Sequence, residues 1–479
     1  MRVRLLGHYV HVSIAAMAAV DALVFFCAML LAYRTRFHTW YPVPSIGSEE
    51  ALWLCAAVFT AMNLVSVLGF GLYSSRQRAR TGGVFVRLIA ACAAATAATA
   101  LLFYFIPSLY IGRGVLGLAL LFSLLGVGAA HGVFSRMMDE SLLKRRVLVY
   151  GVGQRTTAIS GLRRRSDRRG FEIVGYVQPD GESIAVSPER VLDASEGILT
   201  LCTRLDVHEV VVAMEDRRRG FPILGLLECR LAGMEVTELL TFLERETGRV
   251  RIDVLNPSWM IFGEGFRRDP VRLFSSRTLD LVASVLLLIL SLPFMLITMV
   301  AIKLEDGWRA PVFYGQARVG LAGQPFKVLK FRSMRTDAER DGQAQWAQKS
   351  DPRVTRVGAV IRKLRIDELP QILNVVSGQM SFVGPRPERP QFVAELAQKI
   401  PYYVQRHCVK PGITGWAQLC YPYGSSEEDA LEKLQYDLYY IKNNTLLFDL
   451  AILVQTAEVV FMGKGAREEA CLASSSTSR

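Results

Sequence analysis

Four apolar runs in the first 140 residues, at roughly 10–33, 51–73, 88–106 and 115–134, restrict this chain more than any other feature. Each is long enough to cross a hydrocarbon core of about 30 Å as a helix, which satisfies its own backbone there. Flanking charges orient the runs. Arg2 and Arg4 precede the first, Arg76, Arg78 and Arg80 separate the second from the third, and Arg136, Lys144, Arg145 and Arg146 follow the fourth. The other two connections hold only Arg34, Arg36 and Arg113, beside Glu49 and Glu50. The positive-inside bias therefore predicts a four-helix bundle, residues 1–140, with both ends in the cytoplasm. Asp21 and Asn63 sit in mid-run, where a polar group is either a relay or lipid-binding group, or the partner of a polar side chain on a neighbouring helix. No small-residue cleavage site follows the first run, which reads as a retained helix.

A fifth run, residues 279–302, is also long enough to span. Pro293 stands in its middle, where it removes a helix hydrogen bond and bends the chain. Cations lie on both flanks, with Arg267, Arg268, Arg272 and Arg277 before it and Lys303, Arg309 and Arg318 after it. With both flanks cytoplasmic, the segment enters the membrane, turns at Pro293 and leaves on the same face.

Between these membrane parts, residues 144–256 alternate strand-like and helical stretches in an α/β pattern. The segment RRVLVYGVGQRTTAI reads as a buried strand, a glycine turn and a helix. Gly151 and Gly153 match two glycines of a nucleotide-binding fingerprint, but Thr156 replaces the third. This Rossmann-like domain is predicted to be a degenerate scaffold or a nucleotide-binding regulator. The run Arg163–Arg165 with Arg168 and Arg169 reads as a solvated or membrane-facing surface.

A net charge of +12 suits nucleic acid, anionic lipid or a phosphorylated substrate, and cations beside apolar segments favour the last two. The eight cysteines show no paired spacing, which fits reduced thiols in a reducing cytoplasm. The six histidines form no zinc motif, and GxxxxGK[ST] is absent.

Chemistry concentrates in residues 318–387. A basic block holds Arg318, Lys327, Lys330, Arg332 and Arg335, and Arg362 and Arg365 precede the adjacent acids Asp367 and Glu368. Arginine forks bind phosphate oxygens bidentately, and a carboxylate among fixed cations can attack phosphorus or hold a metal. The local alternatives are an N-cap role for Asp367 before LPQILNVV and an ion pair of Glu368 with Arg365.

Five blocks, KFRSM (330–334), DELPQ (367–371), GQMSFVGPRP (378–387), KPGITGWAQ (410–418) and YDLYYIKN (436–443), occur here in the order found in bacterial sugar transferases, a family this chain resembles. The resemblance is to the long form of polyprenyl-phosphate hexose-1-phosphate transferases, and the C-terminal region is similar to an exopolysaccharide and PEP-CTERM-associated subgroup. It implies a four-helix transmembrane bundle, a Rossmann-like domain and a monotopic α/β catalytic domain at 270–465 with a re-entrant helix at 279–302, followed by a disordered tail at 466–479. It implies a phosphoglycosyl transferase of the bacterial inner membrane, with its soluble domains facing the cytoplasm. A UDP-sugar donates sugar 1-phosphate to polyprenyl phosphate through a covalent intermediate, as a first membrane step of exopolysaccharide synthesis.

Residue by residue, the resemblance makes Asp367 the nucleophile, Glu368 the Mg²⁺ ligand and Arg362 a basic partner of the phosphate site. Lys330, Arg332 and Arg318 become further basic positions, Pro385-Arg386-Pro387 a rigid turn facing a phosphate, and Asp437 a further acid. Small family members break the re-entrant helix at Ser-Pro, whereas this chain has Ser291-Leu292-Pro293. The expected partners are the UDP-sugar, the polyprenyl phosphate, the lipid bilayer and a second copy of the chain, without nucleic acid. The alternative is a non-catalytic scaffold that senses nucleotide-sugars through the middle domain. An epimerase or dehydratase would need a YxxxK pair there, and none occurs.

Overall fold

The computed structural model describes residues 2–5, 8–37, 49–70, 72, 81–106, 112–137, 144–162, 167, 170–216, 220–255, 260, 265, 269–335, 353–421, 424 and 426–461. The expectations for Arg76, Arg78, Arg80, Arg163–Arg165, Arg168, Arg169, Arg267, Arg268 and the tail at 466–479 lie outside these residues. The chain divides into two compact units, Met1–Thr247 and Gly248–Arg479.

After a short antiparallel strand pair, Arg2–Leu5 with His8–His11, the first unit runs through helices α1 (Val12–Phe37), α2 (Glu49–Gly69), α3 (Thr81–Phe105) and α4 (Arg113–Met137). They pack in a ring, α1 against α2 and α4, and α3 against α2 and α4. Phe25, Met29, Tyr33, Phe59 and Phe103 fill the middle, while Leu23, Leu54, Val65, Leu101 and Leu125 point outward. Apolar side chains on the outer face as well as the inner one match a lipid surround. Asp21 meets His131 of α4 at 3.0 Å, both buried, and Asn63 Nδ2 donates to the Phe59 carbonyl at 2.9 Å. The mid-run polar groups are thus partnered inside the bundle.

A five-stranded parallel sheet follows, built from β1 (Arg145–Tyr150), β2 (Phe171–Val177), β3 (Val191–Leu192), β4 (Glu209–Val212) and β5 (Glu235–Glu238). Its order is β3-β2-β1-β4-β5. Central strands β1 and β4 are buried along nearly their whole length, as the runs VLVY and VVV require when both faces of a strand are covered. Helices Ile198–Arg204 and Ile223–Leu231 pack Leu201 and Leu226 against Leu148 and Val210. Arg145, one of the cations used above to orient the bundle, is buried in ion pairs with Glu209 and Glu246.

The glycine turn after β1 is already occupied. Glu182 accepts from the Val152 N–H at 2.8 Å and the Glu215 N–H at 3.0 Å, and Glu215 accepts from the Gln154 N–H at 2.5 Å. A Cβ on Gly153 would stand 2.4 Å from the Glu215 carboxylate. The chain's own carboxylates thus approach Gly153 closely, where a nucleotide fold admits a phosphate. The helix after the turn is the single turn Thr157–Ser160.

Residues 248–255 pack with the second unit, eight residues beyond the sheet domain's observed end and short of the expected boundary at 256. Trp416 Nε1 donates to the Gly248 carbonyl at 2.9 Å and the Val250 N–H to the Gln435 carbonyl at 3.0 Å. The apolar run becomes α5 (Pro270–Asp306), 37 residues capped by Asp269, whose side chain accepts the Val271 N–H at 3.0 Å. It exceeds the expected 279–302 at both ends and is helical through Pro293, which does not divide it. A proline deletes one donor, and on an exposed position the remaining ladder carries the helix past it. Ser291 Oγ reaches the Leu288 carbonyl only at 3.5 Å. With α1–α4, α5 makes five helices among the described residues that are long and apolar enough to cross a membrane.

One stripe of α5, with Asp280, Ser284, Ser291, Met295, Thr298 and Ile302, is buried against the rest of the second unit. Val285, Leu286, Ile289, Leu290, Phe294 and Ile297 are exposed on its other side. The unit continues with the antiparallel hairpin β6 (Phe313–Val319) and β7 (Pro325–Phe331), then α6 (Arg356–Lys363) and α7 (Gln371–Val376). Parallel strands β8 (Ser381–Val383) and β9 (Gly412–Thr414) pair next to each other, and α8 (Glu427–Asn443) and α9 (Leu446–Phe461) close the unit. Tyr436, Leu438, Tyr440 and Ile441 of α8 are core residues packed with Phe382, Trp416 and Ile452. The seven cysteines among the described residues are free thiols.

The filled glycine turn has a measurable consequence. Titration of the full-length protein with NADH or ADP should give no saturable binding that depends on the turn. Micromolar binding that is lost in Gly153→Val would contradict this reading of the turn.

Candidate active site

The acids lie in a 3₁₀ turn, Ile366–Glu368, between α6 and α7. Arg365 enters it in the left-handed region (φ 58°), which redirects the chain at the end of α6. A non-glycine residue in that conformation costs about 1–3 kcal/mol and persists only where its surroundings hold it. The holding contacts come from elsewhere in the unit. Glu305 of α5 accepts from the Arg356 and Val357 N–H groups at 2.8 and 2.9 Å, satisfying the first turn of α6. Arg277 of α5 donates to the Val375 and Val376 carbonyls at 2.7 Å each, satisfying the last turn of α7. Buried Asn374 bonds Leu329 N–H at 2.9 Å and the Lys327 carbonyl at 2.8 Å, locking α7 to β7.

The two acids have different surroundings. Glu368 Oε1 receives Lys330 Nζ at 3.0 Å and Arg386 Nη2 at 3.1 Å. Burial alone would raise its pKa, but Arg386 and then Lys330 outweigh burial and hold the carboxyl well below the usual carboxylate range. Asp367 is 8% exposed, and among the described residues its carboxylate accepts no side-chain hydrogen bond. Burial, followed by the charge of Glu368, raises its pKa, against Lys330, Arg362 and Arg365. One acid is thus a fixed anion, and the other is a buried carboxyl that accepts no side-chain hydrogen bond among the described residues. The N-cap role does not occur, since α7 is capped at Pro370 without a side-chain bond, whereas Arg365 does act on Glu368 by charge, beside its hydrogen-bonded partners Lys330 and Arg386.

Lys330 and Arg332, alike in sequence, separate in space. Arg332 is buried and bonds Asp306 of α5 at 2.6 Å. Arg318 likewise faces away from the acids. It donates to the Pro387 carbonyl at 3.2 Å and pairs with Glu388 at 3.3 Å. Arg362 influences Asp367 by charge across the turn.

The Pro385-Arg386-Pro387 turn is tethered through its carbonyls. Pro385 O accepts the Gly412 N–H at 3.0 Å, Arg386 O accepts Arg406 Nη2 at 3.1 Å, and Pro387 O accepts Arg318. A Cβ on Gly412 would stand 2.1 Å from the Gly384 nitrogen, so the glycines of GPRP and KPGITG serve the close pairing of β8 with β9. Asp437 of α8 does not reach the acid pair; it is buried 2.8 Å from Arg406. Burial raises its pKa to about 6, against the pull of Arg406. Arg386, Phe392, Arg406, Tyr421, Lys433 and Asp437 line a cleft of about 300 Å³, at the lower end of ligand-site volumes. Arg386 joins this cleft to Glu368.

Among the described residues no group of three or more acids, histidines or cysteines is placed to hold a metal. The pair Asp367 and Glu368 nonetheless fits Mg²⁺, which binds through one or two carboxylates and completes its shell with water and substrate phosphate. Both cations on Glu368 contact Oε1, which leaves Oε2 for that purpose. Sequence reasoning did not find Arg406, Asn374, Glu305 or Arg277 as site supports. A buried asparagine within the apolar run QILNVV was the one visible signal among them.

Residues 271–463 match the family model described as bacterial sugar transferase. Over 484 aligned residues, 95% of each chain, the sequence is 30% identical to a UDP-glucose:undecaprenyl-phosphate glucose-1-phosphate transferase of Xanthomonas campestris pv. campestris. It is 45% identical over 242 residues to a UDP-N-acetylgalactosamine-undecaprenyl-phosphate N-acetylgalactosaminephosphotransferase of Aeromonas hydrophila, an alignment covering 50% of this chain and 56% of that relative. An undecaprenyl-phosphate galactose phosphotransferase of Salmonella typhimurium is 29% identical over 366 residues, 70% of this chain and 73% of its own.

The raised pKa of Asp437 predicts a pH-dependent stability. The folded protein holds this proton more tightly than the unfolded chain, where the group titrates near 3.8. Stabilisation by the proton is complete below that value and is lost as the pH rises through about 6. Thermal unfolding in detergent should therefore show wild type losing stability relative to Asp437→Asn across this window. Below that window the protonated acid and Asn are both neutral, so the two proteins should differ least at acid pH. A difference between the two proteins that does not vary with pH counts against the raised pKa.

Proposed function

Because this chain belongs to the bacterial sugar transferase family, we propose that it transfers a sugar 1-phosphate from a UDP-sugar to polyprenyl phosphate and releases UMP. The observation that carries this reading is the asymmetric acid pair, with Asp367 uncommitted and Glu368 held by Lys330 and Arg386. In the first step an Asp367 carboxylate oxygen forms a bond to the β-phosphorus. The bond from that phosphorus to the bridging oxygen breaks, and UMP leaves with the electron pair. In the second step a phosphate oxygen of the polyprenyl phosphate attacks the same phosphorus and displaces the Asp367 carboxylate. The product is polyprenyl-diphosphate-sugar, a starting unit for exopolysaccharide.

Lys330 and Arg386 stand where phosphate oxygens gain charge, and preorganised cations of this kind lower the barrier without reorganising. Glu368 would hold Mg²⁺, which when bound would supply Lewis-acid stabilisation of the leaving group. The cleft beside Arg386 is assigned to the rest of the donor. A cytoplasmic site is supported by the charge bias of the first helices and by α5, whose two ends bond the same unit through Arg277 and Glu305. A straight crossing would separate those ends across the bilayer, whereas burial of its apolar outer face from one side keeps them together. The reading of the chain as a nucleotide-sugar sensor is weakened by the filled glycine turn.

Membranes or purified protein incubated with a panel of UDP-sugars and undecaprenyl phosphate should release UMP with at least one of them. Asp367→Asn should lower turnover by more than about 10³-fold, and mass spectrometry of wild type without acceptor should find a phosphosugar on Asp367. Full activity in the Asn variant rules out the nucleophile assignment. Lys330→Met should cost about 10²-fold in kcat with an unchanged unfolding temperature. Arg332→Met, which strands Asp306, should act mainly on stability.

A further inference from the structure

We propose that Arg406 is a positioning residue that sets the reach of Arg386, with Asp437 as its buried counter-ion; as a role in turnover this rests on the transfer reaction proposed above. Neither the motif blocks nor the comparisons assign Arg406 a role. It lies in the 3₁₀ segment Tyr403–Cys408 and is 7% exposed.

Each arm of its guanidinium is committed to the protein. Nη1 donates to Tyr403 Oη at 2.7 Å, Nη2 donates to the Arg386 carbonyl at 3.1 Å, and Asp437 Oδ2 lies 2.8 Å from Nη2. The guanidinium also stands 5.2 Å from the centre of the Tyr403 ring. It therefore borders the cleft with both terminal nitrogens engaged by the protein.

Its point of action is decided by the two prolines. Pro385 and Pro387 have no N–H and fixed φ, so the turn between them can be held only through carbonyls and through the single N–H of Arg386. Of the three tethered carbonyls, the one belonging to Arg386 is held by a side chain that is itself fixed by a buried charge. The chain of contact runs from Asp437 to Arg406, to the Arg386 backbone, and through the Arg386 side chain to Glu368. A buried ion pair is a weak device for stability but an effective one for fixing a geometry.

Lys at 406 keeps a positive charge for Asp437 and loses the planar fork that bonds Tyr403 and Arg386 together. In a double-mutant cycle, Arg406→Lys should lower kcat between about tenfold and a hundredfold in the wild-type background. In the Arg386→Ala background it should change kcat less than about twofold, because the group it positions is gone. Hydrogen–deuterium exchange should show faster exchange of the 384–389 segment in Arg406→Lys while α7 keeps its protection. Equal rate losses in the two backgrounds overturn the proposal, since Arg406 would then act independently of Arg386. Unchanged exchange at 384–389 overturns it as well. If wild type releases no UMP from any UDP-sugar, the reaction reading fails, and the exchange experiment alone decides whether Arg406 holds the turn.

Discussion

Two charged residues near opposite ends of α5 hold the turn of Asp367 and Glu368 in place. Glu305 supplies the carboxylate that the first N–H groups of α6 lack, and Arg277 supplies the cation that the last carbonyls of α7 lack. Both charges also suit the helix dipoles they face. Asp367 and Glu368 lie between these two capped helices, preceded by a left-handed Arg365 that only a fixed frame would retain. Asn374 and Asp306 complete the frame by joining it to β7 and to Arg332. The reactive turn is therefore positioned by the helix whose outer face is apolar, and not by a separate soluble core.

The charges of the unit are arranged in pairs with different purposes. Arg406 and Asp437 are both buried, and buried Arg332 meets the more exposed Asp306; each pair binds parts of the protein to each other. Lys330 and Arg386 are more exposed and converge on one oxygen of Glu368, which keeps them together despite their mutual repulsion. Asp367, next to this cluster, accepts no side-chain hydrogen bond among the described residues.

Much of this was legible from residue type and order. The apolar runs appear as helices and the VLVY and VVV segments as buried strands, while the bonds of Glu368 to Lys330 and Arg386 come from the fold. The limits are physical. Lys330 and Arg332 look equivalent by strand alternation, but β7 ends at Phe331, so alternation stops applying before Arg332 is reached. Pro293 signals a bend, and α5 is helical on both sides of it. Residues 248–255 carry no pattern that distinguishes one neighbouring core from the other. Arg406, Asn374 and Glu305 act across 20, 45 and 51 residues of sequence, distances over which periodicity carries no information.

The dual role of α5 also bears on how such a protein can be handled. Deleting the apolar helix to obtain a soluble fragment would remove Glu305 and Arg277 together with the hydrophobic surface, leaving α6 and α7 with open ends. Amphiphiles face a related constraint, because the inner stripe of α5 carries Ser284, Ser291 and Thr298 while the outer face is hydrocarbon. A detergent that coats only the outer face preserves the site, and one that pries the helix from its bed dismantles it.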